Sequence, residues 1–561
     1  MAKKSKIIFG FTILTTLVLF AGCANQLPPT GGDPDKTPPQ VIEVLPHNGT
    51  INFHDNYFEI TFSEYVEKRS VQNAIFISPA LKHPLEYDWS GKSLAVYFKD
   101  TLKENTTYTV TIGTDTKDYN GGNKMAEAYT FAFSTGEKID KGKLGGKVYD
   151  SDPDGVMIFA YRAGGKEIDP AKQNPDYISQ VGMNGKFTLP GLGDGTYSIY
   201  AVRDKLKEGK YHKGDDDFGV QFKKVELDST ANELNDIDFF LTREDTIAPS
   251  ISNVIMRDRN HLLVEFNDKI DSTNLSAKNF YLFDSTSNRK VNPSYLFKGD
   301  AKPYQFYIGL RDTLEDKEGW ALVSSGVADN AGNISAEEKY PITVKNERDT
   351  AAFKLIRASG ELPGGKIDYE NSKIDLEFNY AADSAGLKER LTFADAKGNP
   401  VSCVLKRKDD AFFTVMISEK LKQNTEYTLR LNLKNYTDYR GNRTDSLYQN
   451  KFTTATELDF SGVSGNIVSG DSVQKILVLE SAEKVKRKYR QKADEKNNFD
   501  FRKVVPGRYL IWGLRDENKN GVYDYGTITP FKFSEEFKYY PDTLNLRARW
   551  PVGGVSIDFK K

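Results

Sequence analysis

Two stretches, "LKENTTYTVTI" (Leu102–Ile112) and "LKQNTEYTLRL" (Leu421–Leu431), decide the reading of this chain. In both, a polar turn leads into Tyr, Val or Leu alternating with Thr or Arg, the two-residue period of a half-buried strand. Around them the chain repeats itself. Three punctuating stretches, "DKTPPQV" from Asp35, "DTIAPSI" from Asp245 and "DTAAFKL" from Asp349, each precede a strand ending in a Phe-polar pair. These strands are "EITFSE" (Phe62), "LVEFND" (Phe266) and "DLEFNY" (Phe378). Each unit then reaches a loop, "DYNGGN" at Asp118, "DNAGN" at Asp329 and "DYRGN" at Asp438. Asp, Asn and Gly there are turn chemistry, because they tolerate positive φ. Strand-rich units of roughly 100 residues, with turn signals every ~8–12 residues, predict β-sandwiches.

A second kind of unit appears twice. "NGKFTLPGLGDGTYSIYAVRDKLKEGKYHKG" starts at Asn184 and "NNFDFRKVVPGRYLIWGLRDENKNGVYDYG" at Asn497. Phe187 and Phe499, Gly195 and Gly507, Tyr197 and Tyr509, Asp204 and Asp516, and Tyr211 and Tyr523 align at one constant offset, without a gap.

The first kind of unit resembles the bacterial Ig-like domain first described in S-layer proteins, on "EITFSEYV", the "YTVTI" strand, "DYNGGN" and "FAFSTG". The second is similar, in its F-x-L/F and P-G-x-Y pattern, to prealbumin-like and collagen-adhesin B-type domains, small β-sandwiches used as stalk modules. The resemblance implies an all-β chain, a string of about five Ig-like and prealbumin-like β-sandwich domains. The expected order is a signal peptide at 1–22, a Pro/Gly/Asp-rich tether at 23–37 and an Ig-like domain at 38–136. A prealbumin-like module at 137–245, a divergent Ig-like domain at 246–347, an Ig-like domain at 348–456 and a prealbumin-like module at 457–561 follow. Small interfaces between such modules are the default for a multidomain chain.

The N-terminus supplies an address. Lys3, Lys4 and Lys6 precede an apolar run, Ile7–Phe20, too short for a comfortable span, and Ala21-Gly22 leads to Cys23. "FAGC" resembles the bacterial lipoprotein cleavage site, with Phe20 where Leu is usual. The resemblance implies acylation (palmitate) of Cys23 and attachment to the membrane through that lipid. With "PTGGDPDKTPP" behind it, the segment is also similar to Ig-like lipoproteins of Bacteroidota. Ala24, in place of an inner-membrane-retaining Asp, implies the outer membrane. The periplasmic and surface-facing leaflets both stay open.

Composition narrows the function. The 561 residues carry 77 basic and 79 acidic side chains, a net charge of −2, which argues against a nucleic-acid partner. Cys403 has no second thiol once Cys23 is acylated, and its setting, "PVSCVLKR", reads as a buried strand. Five His occur without H-E-x-x-H, C-x-x-C or G-x-S-x-G patterns, and His47 and His54 lie near turns. "GELPGGKI" (360–367) lacks both the Ser/Thr and the following helix of a phosphate loop. "KVKRKYRQK" (484–492) reads either as a contact for a polyanion or as an edge strand guarded by Lys. Of the four Trp, Trp512 alternates with Leu510 and Leu514, as a core residue would.

One motif offers ligand chemistry. Counted from Asp516, "RDENKNGVYD" places Asn518, Asn520, the Val522 carbonyl and Asp524 at positions 3, 5, 7 and 9 of a calcium loop, with Gly521 at 6. Position 12 is Thr527 where an EF-hand has a bidentate Glu, and the matching loop "RDKLKEGKYH" keeps only Asp204 and Glu208 as ligands. A structural calcium site and a metal-free turn are the two readings, and neither is catalytic. The expectation is therefore a lipid-anchored envelope protein with a structural, adhesive or protein-binding role and no catalysis. Its partner is an envelope protein or a glycan, and the alternative is a carbohydrate-binding or polysaccharide-handling accessory.

Overall fold

The computed structural model describes residues 33–163, 168–315 and 319–560. It is an all-β chain that divides into two compact units. The first holds 33–163, 175–197 and 226–235 of the described residues, and the second holds 168–174, 198–225 and 236–560. The division falls within the strand Gly195–Arg203.

In the first unit, Val41–Leu45, Tyr57–Phe62, Ser93–Tyr97 and Glu86–Ser90 form one antiparallel sheet in that order. Ile75–Ser78, Thr107–Ile112 and Tyr129–Ser134 form another. The strand expected at "EITFSE" runs over Tyr57–Phe62, and its alternation buries Phe58, Ile60 and Phe62 completely. Leu94, Val96, Val110, Phe131 and Phe133 close the core around them. Each such apolar side chain contributes roughly 1.5–3 kcal/mol on burial.

The strand Thr107–Ile112 corrects the half-buried expectation, since all six of its residues are buried. Its threonine face is covered by the segment that follows in the chain. Thr109 donates its hydroxyl to the Pro190 carbonyl (3.1 Å) and Thr111 to the Ile178 carbonyl (3.2 Å). Short polar side chains with carbonyl partners let a sheet face be buried without leaving a donor unmade. A small interface was expected at this boundary, and the unit is instead continuous across it. Its remaining strands include Gly142–Tyr149, paired with Lys186–Leu192, and Met157–Arg162, paired with Tyr177–Gln180.

The second unit contains two more sandwiches with the same strand order. Ile251–Asp258, His261–Phe266, Gln305–Gly309 and Tyr295–Phe297 repeat the first sheet, and Leu355–Gly360, Lys373–Phe378, Phe412–Ile417 and Cys403–Arg407 repeat it again. The stretch from 246 to 347, most divergent in sequence, thus keeps the order of this sheet, while its second sheet has a fourth strand, Arg289–Val291. The paired stretches 102–112 and 421–431 also build the same corner. Asn105 and Asn424 take φ of 50° and 48°, and the amides of Lys103 and Lys422 donate to the hydroxyls of Tyr108 and Tyr427.

The C-terminal sandwich pairs Asn498–Val504, Ser461–Val468 and Val552–Asp558 in one sheet. The other holds Lys488–Lys492, Gln474–Ser481, Gly507–Asp516 and Phe537–Tyr539. Its P-G-x-Y signature is a local clasp: Gly507 sits at φ 155°, and Tyr509 donates to the Val505 carbonyl (2.7 Å). Trp512 is buried as predicted, but on the other face of the strand from Tyr509 and Ile511, which enter the sandwich core. It packs against Phe240 (5.2 Å) and Tyr539, a second apolar layer outside the core. Trp320 lies in a core, Trp89 is half-buried, and Trp550 is 73% exposed. Cys403 opens its strand half-buried. Lys488–Lys492 is an edge strand, with Lys488, Arg490 and Lys492 outward.

Candidate functional site

In the loop after Gly507–Asp516, hydrogen bonds tie the side chains that the sequence singled out. Asp516 is fully buried. Its Oδ2 accepts from the Gly521 amide (3.0 Å) and from Gln474 Nε2 (2.6 Å), while Oδ1 is buried without a partner. Gly521 turns at φ 77°. Asn518 and Asn520 both donate their side-chain amides to Asp524 Oδ2. Their own oxygens accept from the amides of Asn520 and Val522. Thr527 donates instead to the Pro530 carbonyl. Glu535, 7% exposed, accepts from the amides of Glu517 (3.0 Å) and Asp524 (3.2 Å). Burial, with the charges of Asp524 and Asp516 beside it, pushes Glu535 up to about 7 against the pull of those amides. Glu535 braces the loop through these two backbone amides, and no local spacing could have pointed to it.

The matching loop shows which part of this is scaffold. Asp204 Oδ2 accepts from the Gly209 amide (2.7 Å), and Asp216 accepts from the amides of Lys205 and His212 (3.2 and 2.9 Å). These partners are the equivalents of Gly521, Glu517 and Asp524, so Asp216 stands where Glu535 stands. Asp204 Oδ1 is likewise buried without a partner. The carboxylate clasp therefore belongs to the turn itself. What the C-terminal copy adds is the oxygen-rich set Asn518, Asn520 and Asp524.

A second polar centre lies between the second and third Ig-like sandwiches and centres on His261, which is 2% exposed. Burial pushes the Tyr439 phenol well up, and its hydroxyl is hydrogen-bonded to His261 Nε2. His261 Nδ1 meets Asp258 Oδ2 (2.8 Å). The ring stacks on Tyr380 (5.2 Å), whose other neighbour is the Arg440 guanidinium (3.5 Å from the ring centroid). Arg440 donates to Asp438, to Asp349 and to the Ala351 carbonyl. With both ring nitrogens engaged, His261 is a structural pin, although it has the residue types of a base. Beside it opens a cleft of about 590 Å³, with Arg257, Asp300, Tyr307, Glu377, Asn379 and Tyr380 among its lining. Nothing in the sequence marked His261 beyond its being a His inside a strand.

The other candidates fall into place. In "GELPGGKI", Pro363–Gly365 is a single 3-10 turn and Lys366 pairs with Asp459 (2.8 Å). Arg490 of the basic run donates to the Gly521 carbonyl and Lys488 pairs with Glu480. His47 and His54 are exposed. Cys23 and the apolar run before it lie outside the described residues. Among the described residues no helix is long and apolar enough to cross a membrane.

Comparison with protein families agrees on the Ig-like repeats. The bacterial Ig-like domain family matches residues 35–135 and 362–454, so the chain carries Ig-like β-sandwich repeats. No curated protein matches it. Among solved structures it is similar to the N-terminal part of the bacterial S-layer protein SbsC, at 16% identity and a TM-score of 0.17, over 37% of this chain and 45% of that one. It is also similar to surface layer protein SbsC, domains 1-6, at 12% identity and a TM-score of 0.15, over 87% of this chain and 66% of that one. A third is the Bacillus anthracis TIE protein, at 10% identity and a TM-score of 0.14, over 94% and 75%. The chain thus spans less than half of the first of these.

Proposed function

We propose that this is a lipid-anchored protein of the bacterial outer membrane whose β-sandwich repeats serve a structural, adhesive or protein-binding role, without catalysis. The observation that carries the reading is the threefold sandwich with one strand order, in which polar side chains are spent on tying loops and corners. The buried His261 supports it, since both its nitrogens are committed to structure. Acylation at Cys23 would supply the anchor, because several acyl chains, each buried CH₂ contributing ~0.8 kcal/mol, give stable attachment. The loop at 516–524 would take calcium as a structural clip. Asp516, Asn518, Asn520, the Val522 carbonyl and Asp524 supply ligands there, and Glu535 lies behind them. The two Asn amides would have to turn their oxygens inward.

The deciding experiment is Cys23→Ala in cells. Loss of fatty-acid labelling and release from the membrane fraction are expected, and unchanged labelling would overturn the anchor. Crosslinking in the same cells identifies the envelope partner. The cleft beside His261 favours one second reading, glycan binding. A glycan array answered by the parent chain and not by Tyr307→Ala would establish it.

A further inference from the structure

The basic run "KVKRKYRQK" divides in the fold. Its strand half, Lys488–Lys492, spends its charges locally. Lys488 pairs with Glu480, Arg490 donates to the Gly521 carbonyl, and Lys492 donates to Gln474 Oε1 (3.2 Å). Its first half does not. Lys484, Val485 and Lys486 form the exposed tip of the turn between Gln474–Ser481 and Lys488–Lys492. Arg487 closes that turn, its carbonyl accepting from the Ser481 amide (2.8 Å). Val485 at the tip is 60% exposed.

Strand pairing brings a second turn to the same end of the C-terminal sandwich. The Ala482 amide donates to the Arg508 carbonyl (2.8 Å), at the start of Gly507–Asp516. On the other side of that strand, Gly507 pairs with Leu546. Arg547 and Trp550 then close a turn, the Trp550 amide donating to the Arg547 carbonyl (3.1 Å). With neighbouring strands about 4.7–4.9 Å apart, the chains that lead into the two turns run roughly 10 Å apart. Trp550 is the exposed one of the four Trp, the other three being buried or half-buried.

This end is cationic as well as apolar. Lys484, Lys486, Arg508, Arg547 and Arg549 are exposed, and Arg487 is half-buried. Among the described residues none of these six basic side chains joins an ion pair. Of the acids close by in the chain, Glu483 accepts from the Arg508 amide (3.2 Å). Asp459 precedes the Phe460 carbonyl that receives the Arg549 amide, and it pairs with Lys366 (2.8 Å). The sandwich thus ends in two apolar side chains that project into solvent, with uncompensated cations around them.

We propose that this end of the C-terminal sandwich docks on an anionic lipid surface, with Trp550 and Val485 entering the headgroup layer and the basic side chains facing the lipid phosphates. Trp suits that layer because its ring is apolar and its indole N–H is polar. Cations beside an anionic surface add electrostatic attraction, and apolar groups set among them add buried area. The form of the patch selects a surface over a chain-like polyanion. Val485 offers no flat ring for a sugar to stack on, and both apolar groups sit on exposed turns. The docking is independent of the acyl anchor, since it uses only groups at 484–487, 508 and 547–550.

The test is vesicle binding by the chain from Ala24 onward, which keeps every described strand and lacks both Cys23 and the apolar run before it. Binding is expected to vesicles of phosphatidylcholine and phosphatidylglycerol in equal parts, and not to phosphatidylcholine alone. It should fade at about 1 M salt, where the Debye length falls to about 3 Å. Brominated lipid should quench the exposed indole of Trp550. Lys484→Gln with Lys486→Gln should weaken binding roughly thirtyfold, at about fivefold per cation. Trp550→Ala should weaken it at least about tenfold. Lys397→Gln with Lys434→Gln, exposed lysines of the preceding sandwich, should leave it unchanged. All these positions are exposed, so circular dichroism should match the parent in every variant. Three results overturn the proposal: no binding to the anionic vesicles, binding unchanged by the turn variants, or binding to polygalacturonate without binding to vesicles. Because this chain carries no acyl group, failure here is distinguishable from failure of the Cys23 anchor.

Discussion

Replacing Arg440 with Met keeps most of the side-chain stem and removes the charge. The guanidinium donates through Nε and Nη2 to Asp438 and through Nη1 to Asp349, with a further bond from Nη2 to the Ala351 carbonyl (2.8 Å). The Asp438 side chain is 0% exposed, so the variant leaves a buried carboxylate beside a second one. Breaking a buried pair by removing one partner costs about 3–5 kcal/mol. With a urea slope of ~2 kcal/mol/M, the midpoint of this sandwich should fall by about 2 M. The assay is urea unfolding of the full chain in chelator, followed by tyrosine fluorescence. Its pH dependence separates charge from packing. Burial would raise Asp349, but the Tyr380 hydroxyl, the Ala351 amide and the Arg440 charge together hold it below the usual carboxylate range. A depressed carboxylate stabilises the parent above its unfolded pKa, and that stability is lost as pH falls through the folded value. In Arg440→Met, protonation instead relieves a buried charge, so the deficit should shrink towards pH of about 4. A deficit under about 1 kcal/mol, or one equal at every pH, would refute the reasoning and leave only lost contact with Tyr380.

Millimolar calcium should raise the melting temperature of the full chain, and Asp516→Ala should abolish the rise. Equal curves with calcium and chelator would leave 516–524 as a metal-free turn. Glu535 is raised from 4.5 to about 7, so its contribution is fully present below pH 4.5 and is lost as pH rises through 7. At 1.36 kcal/mol per unit the loss is at most about 3 kcal/mol. Glu535→Gln should flatten that slope in chemical denaturation across pH 4.5–8, and an unchanged slope would place the titration elsewhere.

The alternation of "EITFSE", "LVEFND" and "DLEFNY" determined three sandwiches before any coordinates, because a two-residue period leaves one face apolar and forces it against another sheet. The loops at Asp118, Asp329 and Asp438 were legible as turns from Asp, Asn and Gly chemistry. The turn around Gly521 was legible too, since consecutive positions of one loop are fixed by local geometry. What the sequence could not decide is anything set by residues far apart in the chain. Thr109 and Thr111 read as a solvent face, and only the approach of Pro190 and Ile178 buries them. Trp512 was recognised as buried, yet the layer that covers it comes from Phe240, far back in the chain. Glu535 reaches Asp516 across a loop of no fixed length. Val485 and Trp550 stand in separate stretches, and only strand order brings them to one end of the C-terminal sandwich. Periodicity records which side of an element is apolar; the partner that covers the other side, and the groups that gather at a sandwich end, follow only from how the strands are threaded.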